Sequence, residues 1–220
     1  YFILSVGNAG IQTGSGRSLT MARIAVFHNT LDLQGGADAV CLHTCAALAA
    51  DHDVTLLTAS RTDPRTLVDR FGVAFDADVI NPPLVTAAAR AFEALGPLVG
   101  PQLAARTALL RGVAYGRLTS FDAVVSTANE LSLPIPSVQY VHFPQFRTDR
   151  ASAADAGALN SLWSRLAAPD PADLAAQRSR LLANSAWTAD VVEQCYGVRP
   201  MVCHPPVDRI DGRAWDDREN

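Results

Sequence analysis

The 220-residue sequence contains no lysine: all 18 basic residues are arginine, and only Glu93, Glu130, Glu193 and Glu219 of its 22 acidic residues are glutamate. The net charge of -4 lacks the basic surplus of a dedicated nucleic-acid binder. Four cysteines (Cys41, Cys45, Cys195, Cys203) are too few for a disulfide scaffold, and reduced thiols in a cytoplasmic protein are the expectation. No apolar run reaches the length a spanning helix needs, and residues 131–146, although uncharged, carry three prolines. The G-x-G-x-x-G fingerprint is missing, which speaks against a dehydrogenase, and no flavodoxin-type phosphate loop replaces it. Residues 1–20 open without Met or a basic start and turn polar and Gly-rich at once, unlike a secretory signal. They are expected to be a loosely ordered leader outside the fold.

What is present is a composition for one sizeable core, 49% hydrophobic and 18% charged. Short apolar runs alternate with helical patterns. Residues 23–28 read as a buried parallel strand, 36–50 as a helix and 52–59 as a second strand, which makes a βαβ unit. A short helix is expected over 64–71 and a third strand over 78–81, stopped by Pro82-Pro83. Residues 85–118 are helical but broken near Gly96-Pro97 and Gly100-Pro101, because proline removes a donor and clashes with the preceding turn. Strands follow at 123–127, 137–142, 181–184 and 200–204, with helices at 151–168 and 186–195. The alternation predicts an α/β domain over residues 21–208, with a doubly wound, mostly parallel sheet flanked by helices.

In such sheets ligands lie beyond the carboxyl ends of the strands. Four stretches fall there. Residues 28–36 (HNTLDLQGG) end in paired glycines at a helix start, where backbone amides and the helix dipole can meet an anion, or simply make a tight turn. Residues 140–146 (YVHFPQF) set His142 just past a strand, where imidazole can bond a sugar hydroxyl or serve the fold. Residues 183–188 (ANSAWT) end a strand at Asn184 and offer Ser185 or Thr188 as a helix cap. Residues 204–208 (HPPVD) make a rigid extended exit. The trio Cys41, His43 and Cys45 has no second ligand pair nearby in sequence, so buried apolar thiols explain it better than a metal site, and no metal is expected.

In order and spacing, the glycine pair, Y-V-H-F-P, A-N-S-x-W-T and H-P-P-V-D resemble the acceptor-side half of glycosyltransferase family 4, most of all the lipid-linked-oligosaccharide α-1,2-mannosyltransferases. The resemblance implies a GT-B enzyme of two Rossmann-like halves, this chain being the N-terminal one and residues 209–220 the start of the interdomain linker. It also implies that Gly35 and Gly36 line the phosphate and acceptor approach, and that His142 lies near the transferred sugar as an orienting partner. Asn184 and Asp208 are then expected near the cleft or hinge, with Asn129 and Glu130 on the acceptor side. Asp38 stands where the family's G-G-A-E run has glutamate, and the second half's E-x7-E pair is absent. The implied reaction moves a sugar, mannose in the nearest relatives, from a nucleotide sugar (GDP-mannose or a UDP-sugar) to a lipid-linked or other glycan. It uses no resident cofactor, and the isolated half is expected to be inactive. The alternative is a non-catalytic Rossmann-like binding module or degenerate subunit. Residues 87–117 read first as a core-packed helix pair with solvated arginines; the alternative is peripheral contact with the cytoplasmic membrane face, with Arg90, Arg106, Arg111 and Arg117 at headgroups and Phe92, Leu95, Leu98 and Leu109 in the interface.

Overall fold

The structure, a computed structural model, describes residues 21–94, 103–144, 168–175 and 179–207. Seven strands form one sheet: β1 (Arg23–Phe27), β2 (Asp53–Leu57), β3 (Asp78–Ile80), β4 (Ala123–Ser126), β5 (Ser137–Val141), β6 (Ser179–Ala183) and β7 (Met201–Val202). Their order is β3-β2-β1-β4-β5-β6-β7, and every pairing is parallel. This is the Rossmann-like, doubly wound arrangement, and the strand order reverses between β1 and β4.

The helices are α1 (Gly36–Ala49), α2 (Val68–Phe71), α3 (Pro83–Ala94), α4 (Leu103–Leu118), α5 (Pro171–Ala175) and α6 (Ala186–Tyr196). A parallel sheet needs both faces covered, and the alternation along β1 shows how. Ile24 and Val26 pack under α1 with Cys41, Leu42 and Cys45, whereas Ala25 and Phe27 face Leu110, Ala114 and Leu118 of α4. A third cluster joins Val141 and Leu181 to Val192 and Tyr196 of α6.

The expected elements appear with small shifts. The helix over 64–71 is a 3-10 turn (Pro64–Leu67) running into α2, because Asp63 and Pro64 start a turn too tight for an α-helix. β6 begins two residues earlier than expected, and β7 has only two residues. Residues 1–20, 145–167 and 208–220, with the expected 151–168 helix and the linker, lie outside the described residues apart from position 168.

The membrane assignment over 87–117 needs correction at two positions. Arg106 is buried and points at the Asp32 carboxylate (3.5 Å) and the Ala89 carbonyl (3.3 Å), and Leu109 packs into the sheet-facing cluster. Both face inward because α4 must cover the sheet. Arg111 bonds the Ser132 carbonyl and lies over the Tyr115 ring. Arg90 and Arg117 are exposed, and the side chains of Phe92, Leu95 and Leu98 lie outside the described residues. Among the described residues no helix is long and apolar enough to cross a membrane.

Candidate functional site

The C-terminal rim at the reversal point gathers the polar ends of β1 and β4. The first loop is Asn29–Gly35, leading into α1 with Gly35 as its N-cap. Gln34 there adopts a left-handed backbone (φ 51), which turns the chain into the helix. Gly35 has φ -105, a conformation any residue adopts, and Gly36 is not left-handed either. Backbone strain therefore does not require glycine at either place. What distinguishes them is space: a Cβ at Gly35 or Gly36 would meet nothing within 4 Å among the described residues, so the helix start faces an open approach there.

Behind that loop sits a buried cluster. The Gly35 amide donates to Asp38 Oδ2 (3.0 Å), and Asp38 Oδ1 lies 3.0 Å from His28 Nε2. His28 Nδ1 lies 2.9 Å from Thr127 Oγ1 at the end of β4. His28 and Asp38 are both 2% exposed. Burial by itself disfavours a charged imidazole, but Cys41 (where it ionises) and the Asp38 carboxylate outweigh it and raise the His28 pKa to about 10; at neutral pH Asp38 is the counter-charge. The Cys41 thiol is pushed well above its usual range, first by burial, so it stays protonated and inert. Cys41 and Cys45 fill the core beneath α1, and among the described residues no group of three or more His, Cys, Asp or Glu could hold a metal ion.

The β1 loop is also tied to the end of β2. Asp32 Oδ1 accepts bonds from Ser60 Oγ (2.9 Å), the Arg61 and Thr62 amides (2.9 Å each) and Thr62 Oγ1 (3.0 Å). Burial pushes its pKa up, but these donors prevail and lower it. Asp32 thus acts as a brace for the rim.

Across the reversal point, two asparagines hold His142 by its backbone. Asn129 Oδ1 accepts from the His142 amide (2.8 Å) and the Phe143 amide (3.2 Å), and Asn184 Nδ2 donates to the His142 carbonyl (3.0 Å). Asn129 itself is left-handed (φ 65), a conformation Asn tolerates better than most residues. The His142 ring meets Tyr140 edge-on at 5.0 Å, and its Nε2 is enclosed without a hydrogen-bond partner among the described residues. Burial, then the positive His28, lower its pKa to about 4, against smaller opposing effects of the Thr127 carbonyl and Asp38. At neutral pH the site therefore pairs a buried imidazolium with a neutral imidazole.

Of the residues read from sequence, the structure brings Gly35, Gly36, Asn129, His142 and Asn184 to this one rim. Asn184 faces inward, since its Oδ1 also accepts from Thr188 Oγ1. Glu130 does not reach the cleft. It is fully buried and accepts from Tyr196 Oη at 2.8 Å, because the left-handed turn at Asn129 directs the next side chain into the core. Asp208 lies outside the described residues. Sequence reasoning left His28, Thr127, Phe143 and Trp187 without roles. The available signal for the first two was a polar residue ending an apolar strand beside a loop. Phe143 (37% exposed) and Trp187 (62% exposed) stack at 5.7 Å on the same rim, and no pattern of spacing announces that pair.

Removing the Asn129 clamp is expected to separate two effects in urea denaturation. Asn129→Gly keeps the left-handed backbone but releases both amides, costing about 1–2 kcal/mol. Asn129→Ala adds strain and is expected to cost about 1 kcal/mol more. Equal losses would show that the backbone conformation is irrelevant.

The family model described as Glycosyltransferase Family 4 matches residues 34–209. No curated protein sequence matches the chain. Among solved structures, the chain is similar to Anabaena Alr3699/HepE in complex with UDP-glucose, with 14% identity and a TM-score of 0.43, over 85% of this chain and 44% of that one. It is also similar to the glycosyltransferase SnogD from Streptomyces nogalater (16% identity, TM-score 0.39, 87% and 54% covered). A glycosyltransferase from Rickettsia africae ESF-5 shows 10% identity and a TM-score of 0.40, with 90% and 48% covered. The chain thus spans about half the length of these structures.

Proposed function

Because the chain belongs to glycosyltransferase family 4, we propose that it supplies the acceptor-side, N-terminal half of a GT-B enzyme. That enzyme moves a sugar, mannose in its most specific form, from a nucleotide sugar to a lipid-linked or other glycan acceptor. The observation that carries this reading is the meeting of two features at the sheet's reversal point: an unobstructed glycine doublet at a helix start and the doubly clamped His142. The open helix start at Gly36 receives an anionic phosphate, favoured by the helix dipole, while the Gly35 amide stays with Asp38. The neutral His142 ring orients a sugar hydroxyl. No resident cofactor takes part, since GDP-mannose or a UDP-sugar is consumed as co-substrate. Stabilising the departing diphosphate is an electrostatic task that this reading assigns to a donor-binding lobe. The 220-residue chain alone is therefore expected to show no turnover. The site of action in this reading is the cytoplasmic membrane face, approached through exposed Arg90, Arg117, Leu84 and Tyr115.

The test is transfer by the full-length gene product with GDP-mannose or UDP-glucose. His142→Ala is expected to lower kcat/KM roughly 10–100-fold, the scale of one orienting hydrogen bond in a water-poor site. Wild-type transfer by that variant would remove His142 from the mechanism. Gly36→Ala is expected to raise the KM for the nucleotide sugar about tenfold while leaving stability equal or slightly higher, since alanine favours helix and its Cβ meets no protein atom. A fall in stability instead would show that the doublet serves the fold.

One observation favours the second reading, a non-catalytic binding module: Asn184, Glu130 and His142 Nε2 are all turned inward, which leaves few reactive side chains in the cleft. Binding of a nucleotide sugar without transfer by the full-length product would select it. The stacked Phe143–Trp187 pair gives a separate handle on the acceptor. Trp187→Ala is expected to leave stability within about 0.5 kcal/mol, because the ring is exposed. Its KM for a glycan acceptor is expected to rise about five- to tenfold, the scale of one aromatic contact.

A further inference from the structure

The buried His28 bridges the two sides of the rim. Both of its ring nitrogens lie at hydrogen-bond distance from an oxygen, Nε2 from Asp38 Oδ1 (3.0 Å) and Nδ1 from Thr127 Oγ1 (2.9 Å). The Thr127 hydroxyl also lies 3.5 Å from the Phe27 carbonyl, the acceptor it uses when Nδ1 donates to it. The doubly protonated ring satisfies both contacts with each nitrogen as a donor. Asp38 turns its other oxygen to the Gly35 amide, so the carboxylate joins the cation to the glycine loop (3.0 Å).

We infer that His28 is a positioning residue of this rim, a buried side chain that fixes the glycine loop through Asp38 and ties it through Thr127 to the end of β4, beside the His142 loop. The groups facing it are few. Asp38 and Cys41 come from α1, Thr127 follows β4, and His142 follows β5; Cys41 stays a thiol. The His28–Asp38 pair holds the start of α1 in place through the Gly35 amide. After burial, the His28 charge opposes protonation of His142 and keeps its ring neutral. The inference deepens the transferase reading, yet its geometry stands whether or not transfer occurs.

The test is a nitrogen-15 magnetic-resonance titration of the histidine rings in the 220-residue chain, which needs no substrate. In the wild type at pH 7.5, His28 is expected to show two protonated ring nitrogens, and His142 a single one down to about pH 5. In His28→Gln, the His142 midpoint is expected to rise from about 4 by one unit or more, and exchange of the Gly35 amide proton to quicken at least tenfold. A His28 ring with one proton at pH 7.5 in the wild type overturns the inference. So does an unmoved His142 midpoint in a folded variant. If His28→Gln does not fold, the wild-type spectrum decides alone. Failure of the transfer assay with these spectra intact would reject the transferase reading and leave the positioning role standing.

Discussion

Asp38→Ala is expected to lower the stability of the chain by about 3–5 kcal/mol at pH 6, the cost of stripping one partner from a buried charge pair. The buried carboxylate is the counter-charge for His28 and the acceptor for the Gly35 amide. The loss should depend on pH in a definite direction. The folded His28 pKa, about 10, exceeds the unfolded value of 6.5. Its stabilisation is thus fully present below pH 6.5 and disappears as pH rises through about 10. The gap between wild type and Asp38→Ala, measured by urea denaturation, is accordingly expected to be widest at pH 6 and to narrow by pH 9. Asp38→Asn keeps the shape and removes the charge, so it should lose the same pH dependence. A gap that stays constant from pH 6 to pH 9 would mean that the pair is not ionised.

His142 should act with the opposite sign. Its folded pKa, about 4, lies below the unfolded 6.5, so the folded state resists protonation. Stability is expected to fall by about 3 kcal/mol as pH drops from 6.5 to 4, from the ring alone. His28 contributes little below about pH 5.5, where it is protonated in both folded and unfolded states. His142→Asn, which cannot titrate, is expected to flatten the curve there, and the measurement is denaturant midpoint against pH. An acid limb of unchanged slope in the variant would assign it to other groups.

Much of the architecture was legible because its signals are local. The apolar run at 23–28, the glycine pair before a helical pattern and the prolines at 82–83 mark strand, helix start and strand stop through periodicity and backbone chemistry. The site was legible only as stretches. Gly35 and His142 could be named because each follows a strand, and parallel strands put such residues at one edge. Glu130 shows the limit: beside Asn129 in sequence it looks like a cleft residue, but a single left-handed φ turns it to Tyr196. Arg106 shows it again. In sequence it is one more arginine on an amphipathic stretch, whereas the brace at Asp32 draws it inside.

By itself the sequence determined the alternation of strands and helices, the parallel sheet and the family. These follow from residue periodicity and from motif order, which are properties of the chain alone. Only the tertiary structure decided that His28, Asp38 and Thr127 join the glycine loop to His142, and that one ring is charged and the other neutral. The two His28 contacts span 10 and 99 residues of chain, and a charge state depends on which groups surround a ring once water has been excluded.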